Sequence, residues 1–301
     1  MLDEAADNGL FILTGSNNFL LQDNISQSLA GRVAYLFLLP LSLSELPASG
    51  LSTNEILYTG GYPALYAGDT DATSFYSNYT RTYLERDVRL LKNITDLFVF
   101  EKFLRLCAGR TGQLLNMSSL SIEVGVDVKT IGSWIGVLET SFIIFRLQPY
   151  HKNFNKRIVK MPKLYFYDTG LALSLLGLEN SQQIPTHPLR GGFFENLVVV
   201  DLLKKRYNQA KNNNLFFWRD NVGHEVDIIL DLPQGQIPVE VKSGKTITGD
   251  YLKGLNYWRK LTGNSGGVLI YDGDSMQKRS DGIQVIPLRE MGASDFASAK
   301  K

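Results

Sequence analysis

Residues 223–245 read GHEVDIILDLPQGQIPVEVKSGK and place two acids and a lysine where a divalent cation and a phosphate could be handled. Two β-rich runs, 225–230 and 237–241, flank a Leu-Pro-Gln-Gly turn, the pattern of two strands joined by a short loop. Side chains alternate along a strand. Glu225, Asp227 and Ile229 are therefore expected on one face of the first strand and Glu240 with Lys242 on one face of the second, while Val226, Ile228, Val239 and Val241 turn to the core. Asp227 then approaches Glu240 and Lys242, giving a carboxylate pair with an ammonium beside it. Such a pair suits Mg2+, which takes one or two protein carboxylates and keeps waters and a substrate phosphate. A metal so held acidifies its water and neutralises charge building on phosphorus. Lys242 would orient or deprotonate that water, or steady the phosphate. Glu195, on a helix upstream, would complete the acidic cluster. Asp227, Glu240 and Lys242 are thus the expected catalytic residues, and Glu195, Asp227 and Glu240 the expected Mg2+ ligands. The competing reading of the same residues is a salt-bridged pair on a solvated sheet face.

The elements that must position these groups follow from periodicity. RGGFFENLVVVDLLKKRY reads as a helix with an apolar stripe of Phe194, Leu197, Val198 and Leu202 and with Glu195 near its start. NLFFWRD, the hairpin, an amphipathic helix over 251–261 and a strand over 267–271 follow, so the last block is a compact α/β unit. Upstream, helices are predicted over 101–115, 118–123 and 127–139, with a turn at Gly125 and with Ile131, Trp134, Ile135 and Leu138 turned inward. The next residues, FIIFRLQPYHKNFNKRIVKMPKLYFYD, supply two strands around a basic loop, the outline of a winged helix. Lys129, Thr130 and Ser133 would then face outward where a DNA-reading surface lies. A helix over 74–91 behind a Ser cap aligns Arg81, Glu85 and Arg89 four apart. At the N-terminus a strand over 10–13, a helical stretch and a strand over 33–39 stopped by Pro40 make a parallel-sheet unit. Such a unit needs neighbours that residues 1–9 do not supply, so an upstream part is expected to be missing or replaced by a partner.

Composition narrows the classes. A net charge of +1 over 301 residues gives no global pull toward nucleic acid, which leaves only local patches: Lys152, Lys156, Arg157, Lys160 and Lys163, and the run Lys204, Lys205, Arg206. One cysteine, Cys107, excludes an internal disulfide, and three histidines exclude a Cys/His zinc cluster. No apolar run approaches the roughly 20 residues of a bilayer span and no signal core is evident, so a cytoplasmic protein without membrane contact is expected. Trp134, Trp218 and Trp258 read as core aromatics, and His224 as a surface or capping residue beside the acidic strand.

Glu195, Asp227 and Glu240-Val241-Lys242 resemble the PD-(D/E)xK nuclease-like superfamily, in which a helix acid, a strand Asp and a Glu-x-Lys form the metal site. The likeness extends along the chain through ILTGSNNFLL, SLAGR, LLPLSLSEL, GGYPALY, YLERDV, LYFYDTGLALSLLG, GGFFENLVVVDLLK and EVDIIL. Together these are similar to bacterial and archaeal AAA-type ATPases that carry a C-terminal domain of unknown function. The resemblance implies an α/β protein in three parts: residues 1–45 as the tail of an AAA-type ATPase domain, 46–165 as a helical linker with a winged-helix-like unit, and 166–301 as a restriction-endonuclease-like domain. It further implies that Thr14, Ser16 and Asn17 lie on a sensor strand beside the γ-phosphate and that Arg32 is an arginine finger or sensor. No G-x-x-x-x-G-K-[ST] occurs, so ATP is expected as a ligand only in a longer chain carrying that loop. The expected partners are DNA and, through the ATPase remnant, a second copy of the chain. Two activities stay open: a Mg2+-dependent phosphodiesterase, or a non-catalytic nucleic-acid- or protein-binding remnant.

Overall fold

The computed structural model of the protein describes residues 12, 34–47, 50–88, 94, 96–151 and 159–292. Thr14, Ser16, Asn17, Arg32, all but Ile12 of the expected strand over 10–13, Arg89 and the basic residues Lys152, Lys156 and Arg157 lie outside the described residues. The strand expected over 33–39 is not formed across the described part, 34–39. Among the described residues no strand runs beside this segment to close a hydrogen-bonded ladder. Leu38 is 96% exposed there, while Phe37 rests on Phe142 and Tyr207.

The first half is helical. Helix α1, Thr53–Thr59, begins with a reciprocal capping box between Ser52 and Glu55. Helix α2, Ala72–Thr82, runs into a π-helical turn, Tyr83–Val88. Its cap is Asp71, which accepts the Ser74 amide at 2.8 Å, rather than the expected Ser74 itself. Arg81 pairs with Glu85 at 3.2 Å, as their spacing predicts. Helix α3, Leu97–Ala108, is shorter at its C-terminus than periodicity implied. Beyond Gly109 the backbone bonds to a strand instead: Gly112 donates to the Leu164 carbonyl at 2.8 Å and Leu115 to Pro162 at 2.8 Å. Helices α4, Met117–Val124, and α5, Val128–Thr140, meet at Gly125, whose φ of 91° demands a residue without Cβ. Ile131, Trp134, Ile135 and Leu138 are buried on α5. Strands β1, Ile144–Leu147, and β2, Lys163–Phe166, then pair antiparallel.

After helix α6, Thr169–Leu175, the long helix α7, Arg190–Asn208, leads into a six-stranded mixed sheet. Its strands are β3 Leu215–Arg219, β4 Glu225–Leu232, β5 Gly235–Lys242, β6 Gly267–Tyr271, β7 Gln277–Lys278 and β8 Ile283–Pro287, in the order β3-β4-β5-β6-β8-β7. The β5-β6 and β6-β8 pairs are parallel and the others antiparallel. Strands β7 and β8 were not anticipated from the sequence. Helix α7 packs Phe194, Val198 and Leu202 into the same cluster as Ile228, Val239 and Val241. Helix α8, Lys253–Thr262, covers the other face with Leu255 and Trp258 against Val226, Ile229 and Leu269. Both faces are therefore buried, and strict alternation along β4 fails. The register to β3 slips by one residue between Phe216 and Trp218, so Val226 and Ile229 join one cluster and Ile228 the other.

The expected surface run at 204–206 is also corrected. Lys204 is 4% exposed and donates to the Leu41 carbonyl at 2.8 Å, and Lys205 pairs with Asp201 and the Met291 carbonyl. Asp201 accepts the Leu43 amide at 2.7 Å, which straps residues 41–43 to α7. Beside this strap, buried Asp168 caps α6 and accepts both the Gly61 amide and the Tyr76 hydroxyl at 2.7 Å. Gly60 threads this joint with φ +69°, and a Cβ there would overlap Tyr76 Oη and Asp168 Oδ1. Gly60→Ala is expected to cost about 2–5 kcal/mol through strain plus overpacking. Gly50→Ala, with φ +67° and open space around it, should lose only about 1–2 kcal/mol. Urea unfolding of both variants checks this; equal losses would show that the packing at Gly60 is irrelevant.

Candidate active site

Three elements converge at one end of the sheet. Strand β4 brings Glu225 and Asp227, β5 brings Glu240 and Lys242, and α7 brings Glu195. Lys242 Nζ lies 2.7 Å from Glu240 Oε1 and 3.3 Å from Asp227 Oδ2. Asp227 is fixed further by the Val241 amide, which donates to its Oδ2 at 2.8 Å. Asp227 is 8% and Glu240 6% exposed, so the pair is buried rather than laid on a solvated face. Glu240 Oε2 is buried with no hydrogen-bond partner. Helix α8 presses bare backbone onto it: a Cβ at Gly254 would lie 2.7 Å from that oxygen.

Glu195 is engaged elsewhere. Lys163 Nζ approaches it at 2.8 Å and the Tyr165 hydroxyl donates to it at 2.5 Å. Lys163 also pairs with Glu225 at 2.5 Å, and Arg219 reaches Glu225 at 3.1 Å. Among the described residues no three His, Cys, Asp or Glu side chains converge on one point as metal ligands would. The expected trio of Glu195, Asp227 and Glu240 is thus divided: Lys242 gathers Asp227 and Glu240, and Lys163 holds Glu195. Sequence reading had assigned Lys163 to a surface basic patch, but it is 3% exposed. Its alternation with Tyr165 on one short strand was the available signal.

The electrostatics follow from burial. Four carboxylates, on Glu195, Glu225, Asp227 and Glu240, face three cations, on Lys163, Arg219 and Lys242. The excess negative charge settles on the deepest acids. Desolvation, then repulsion from Asp227, lifts the Glu240 carboxyl to about 8 against the pull of Lys242. Desolvation likewise raises Glu195, with Lys163 opposing and Asp227 adding. Burial works to lower Lys163, but Glu195, Tyr165, Glu225 and Asp227 hold it above the ordinary lysine range. The same balance, with Asp227 and Glu240 as the acids, raises Lys242. A cation at the unpartnered Glu240 oxygen would relieve the same imbalance that a proton relieves, and hard carboxylate oxygens are the donors Mg2+ takes. In this structure Lys242 Nζ lies between the Asp227 and Glu240 carboxylates, the place a shared ion would take.

Sequence reasoning missed Arg190, at the start of α7. Its guanidinium pairs with Asp272 at 2.6 Å, donates to the Ser243 carbonyl, and reaches Asn54 Oδ1 at 3.3 Å. Thr53 bonds the same Asp272, so α1 is tied to the end of β6 and, through Arg190, to Ser243 just after β5. His224 does not enter the acidic cluster. Its Nδ1 lies 2.9 Å from Asp220 Oδ2 and its ring stacks on Tyr257 at 3.7 Å. Trp134, Trp218 and Trp258 are core residues.

Residues 1–47 match an AAA domain family, residues 51–182 a domain of unknown function (DUF8612), and residues 190–291 another domain of unknown function (DUF4143). The AAA-type match is confined to residues 1–47, and the described residues have a mixed α/β architecture. It is similar to an uncharacterized protein of Mycobacterium tuberculosis, 26% identical over 238 residues, which cover 78% of this chain and 53% of the relative. An uncharacterized protein of Haemophilus influenzae is 23% identical over 291 residues, covering 91% of this chain and 68% of the relative. One of Methanocaldococcus jannaschii is 24% identical over 251 residues, covering 74% and 53%. The chain thus spans about half the length of the mycobacterial and Methanocaldococcus relatives. No solved structure matches it. No helix among the described residues is long and apolar enough to cross a membrane.

The Glu240 carboxyl gives a signed pH dependence. It stays protonated in the folded chain up to about 8 but ionises near 4.5 when unfolded. The folded state therefore binds the extra proton, and this contribution to stability is complete below the unfolded value and fades as pH rises toward 8. In chelator-treated buffer the wild type is expected to lose on the order of 2–4 kcal/mol more than Glu240→Gln between about pH 5 and pH 8. Denaturant titrations at the two pH values decide it, and parallel behaviour of the two proteins would contradict the assignment.

Proposed function

We propose that the C-terminal part of this chain is a Mg2+-dependent phosphodiesterase of the PD-(D/E)xK nuclease-like kind, joined through a winged-helix-like unit to an AAA-type ATPase-like segment and acting on DNA. The observation that carries this reading is the buried, unpartnered Glu240 Oε2 beside Asp227 and Lys242, an arrangement with donors for a cation and no internal group to satisfy them all. Mg2+ held by Asp227 and Glu240 would supply an acidified water and neutralise charge on the scissile phosphate. The chain's own residues do the rest. The Val241 amide fixes the orientation of Asp227. Lys242, raised in pKa by its two acids, stays an ammonium, so its part is to hold the phosphate or the attacking water rather than to take a proton. Lys163 and Tyr165 hold Glu195 at the edge of the site as a reserve acid.

One observation favours a second reading. Lys242 bridges Asp227 and Glu240 while Lys163 bridges Glu195 and Glu225, so each acid already has a fixed counter-ion. On that reading the domain is a non-catalytic binding module that retains a nuclease-like frame. The two are separated by incubating the full chain with plasmid, single-stranded and branched DNA in Mg2+ or Mn2+. Under the first reading cleavage occurs, Asp227→Ala slows it by at least about a hundredfold, and calorimetric Mn2+ binding is lost in the same variant. A salt-sensitive gel shift without cleavage, and without Mn2+ uptake, would instead establish the binding module.

A further inference from the structure

A pile of aromatic rings rises from the core to the surface next to the acidic site. Trp258 packs edge-on against Trp218 at 5.5 Å, and Trp218, fully buried, stacks on Tyr257 at 5.8 Å and 28°. Tyr257 in turn carries the His224 ring at 3.7 Å and 7°, nearly parallel. The His224 side chain is 43% exposed although one face is covered by Tyr257, so the opposite face is the one open to solvent. The ring is held from its edge as well: Nδ1 is bonded to Asp220 Oδ2, and the His224 amide donates to Asp220 Oδ1 at 2.9 Å. The result is a flat, partly exposed ring held by a stacked neighbour on one face and by Asp220 at its edge.

Its surroundings are those of a strand-binding surface. The tip of the β3-β4 hairpin also exposes Val222, at 82%. On α8, Lys253 and Lys260 lie one turn either side of Tyr257, exposed on the same stripe, with Lys253 near Asp250 at 2.6 Å. His224 is three residues before Asp227 on the same run of chain, roughly 10 Å at a strand's rise, or about three stacked nucleotides. Flat rings beside a basic stripe are how unpaired nucleotides are held without regard to sequence.

We infer that the open face of His224, backed by Tyr257, is a stacking platform for an unpaired nucleobase, so that the strand presented to Asp227, Glu240 and Lys242 is single-stranded or frayed. This rests on the nucleic-acid reading of the site, but its test is independent of cleavage. The full chain is titrated, in chelator to abolish hydrolysis, with an oligonucleotide carrying 2-aminopurine, either single-stranded or annealed into a duplex. Stacking quenches the fluorophore. Quenching is expected with the single strand and not with the duplex, and His224→Ala should remove it and weaken binding about tenfold, with an unchanged melting temperature. His224→Phe, which keeps a flat ring without the imidazole, should restore both. Equal quenching by wild type and His224→Ala, loss in both variants, or preference for the duplex would each overturn the platform. Quenching without Mg2+-dependent cleavage would leave the platform standing and remove only the hydrolytic reading.

Discussion

Two ammonium groups, Lys163 buried and Lys242 half-buried, hold one end of the sheet together. Lys163 and Lys242 are each wedged between acids contributed by different elements, and without them the carboxylates of Glu195, Glu225, Asp227 and Glu240 would repel one another in a poorly solvated space. Burying such charges is costly unless they are paired, and removing one partner leaves the other stranded. The lysines therefore set the relative positions of β2, β4, β5 and α7 at this end. They do so incompletely: even with Arg219 on Glu225, four carboxylates face three cations, and one Glu240 oxygen has no partner. That residual imbalance is what makes the cluster a candidate for chemistry instead of a sealed ion-pair network.

The scaffold around the cluster is apolar and two-sided. Helices α7 and α8 close both faces of the sheet, which keeps water from screening the acids and lets small displacements alter their charge state. The bulge in β4 reassigns Val226 and Ile229 to the α8 side and leaves Asp227 at the irregular position, where its carboxylate can take the Val241 amide. Arg190 then links this end to α1, and the Asp168, Asp201 and Lys204 bonds link α1 and residues 41–43 to α6 and α7. The helical unit and the sheet thus share one polar joint.

Much of this was legible in sequence because it is local. The hairpin, the inward residues of α5, the apolar stripe of α7 and the Arg81–Glu85 pair all follow from side-chain periodicity within one element. The proximity of Asp227, Glu240 and Lys242 follows from pairing adjacent strands. The misreadings of local structure include two kinds. Caps and ends, as at Asp71 and after Gly109, depend on which backbone groups find partners in other elements. Residues 34–39 had strand-like composition, but composition supplies no neighbouring strand, so the exposed Leu36 and Leu38 took no ladder.

The sequence by itself determined which residues share a helix face and that two adjacent strands pair as a hairpin, and hence that two acids and a lysine would meet there. Only tertiary structure decided that Lys163 and Tyr165 would claim Glu195, that Lys204 would be buried instead of solvated, and that His224 would lie flat on Tyr257. The reason is that these contacts join groups about 30 or more positions apart: 32 between Lys163 and Glu195, 163 between Leu41 and Lys204. Periodicity reports which way a side chain points from its own element. It carries no information on what packing brings to meet it.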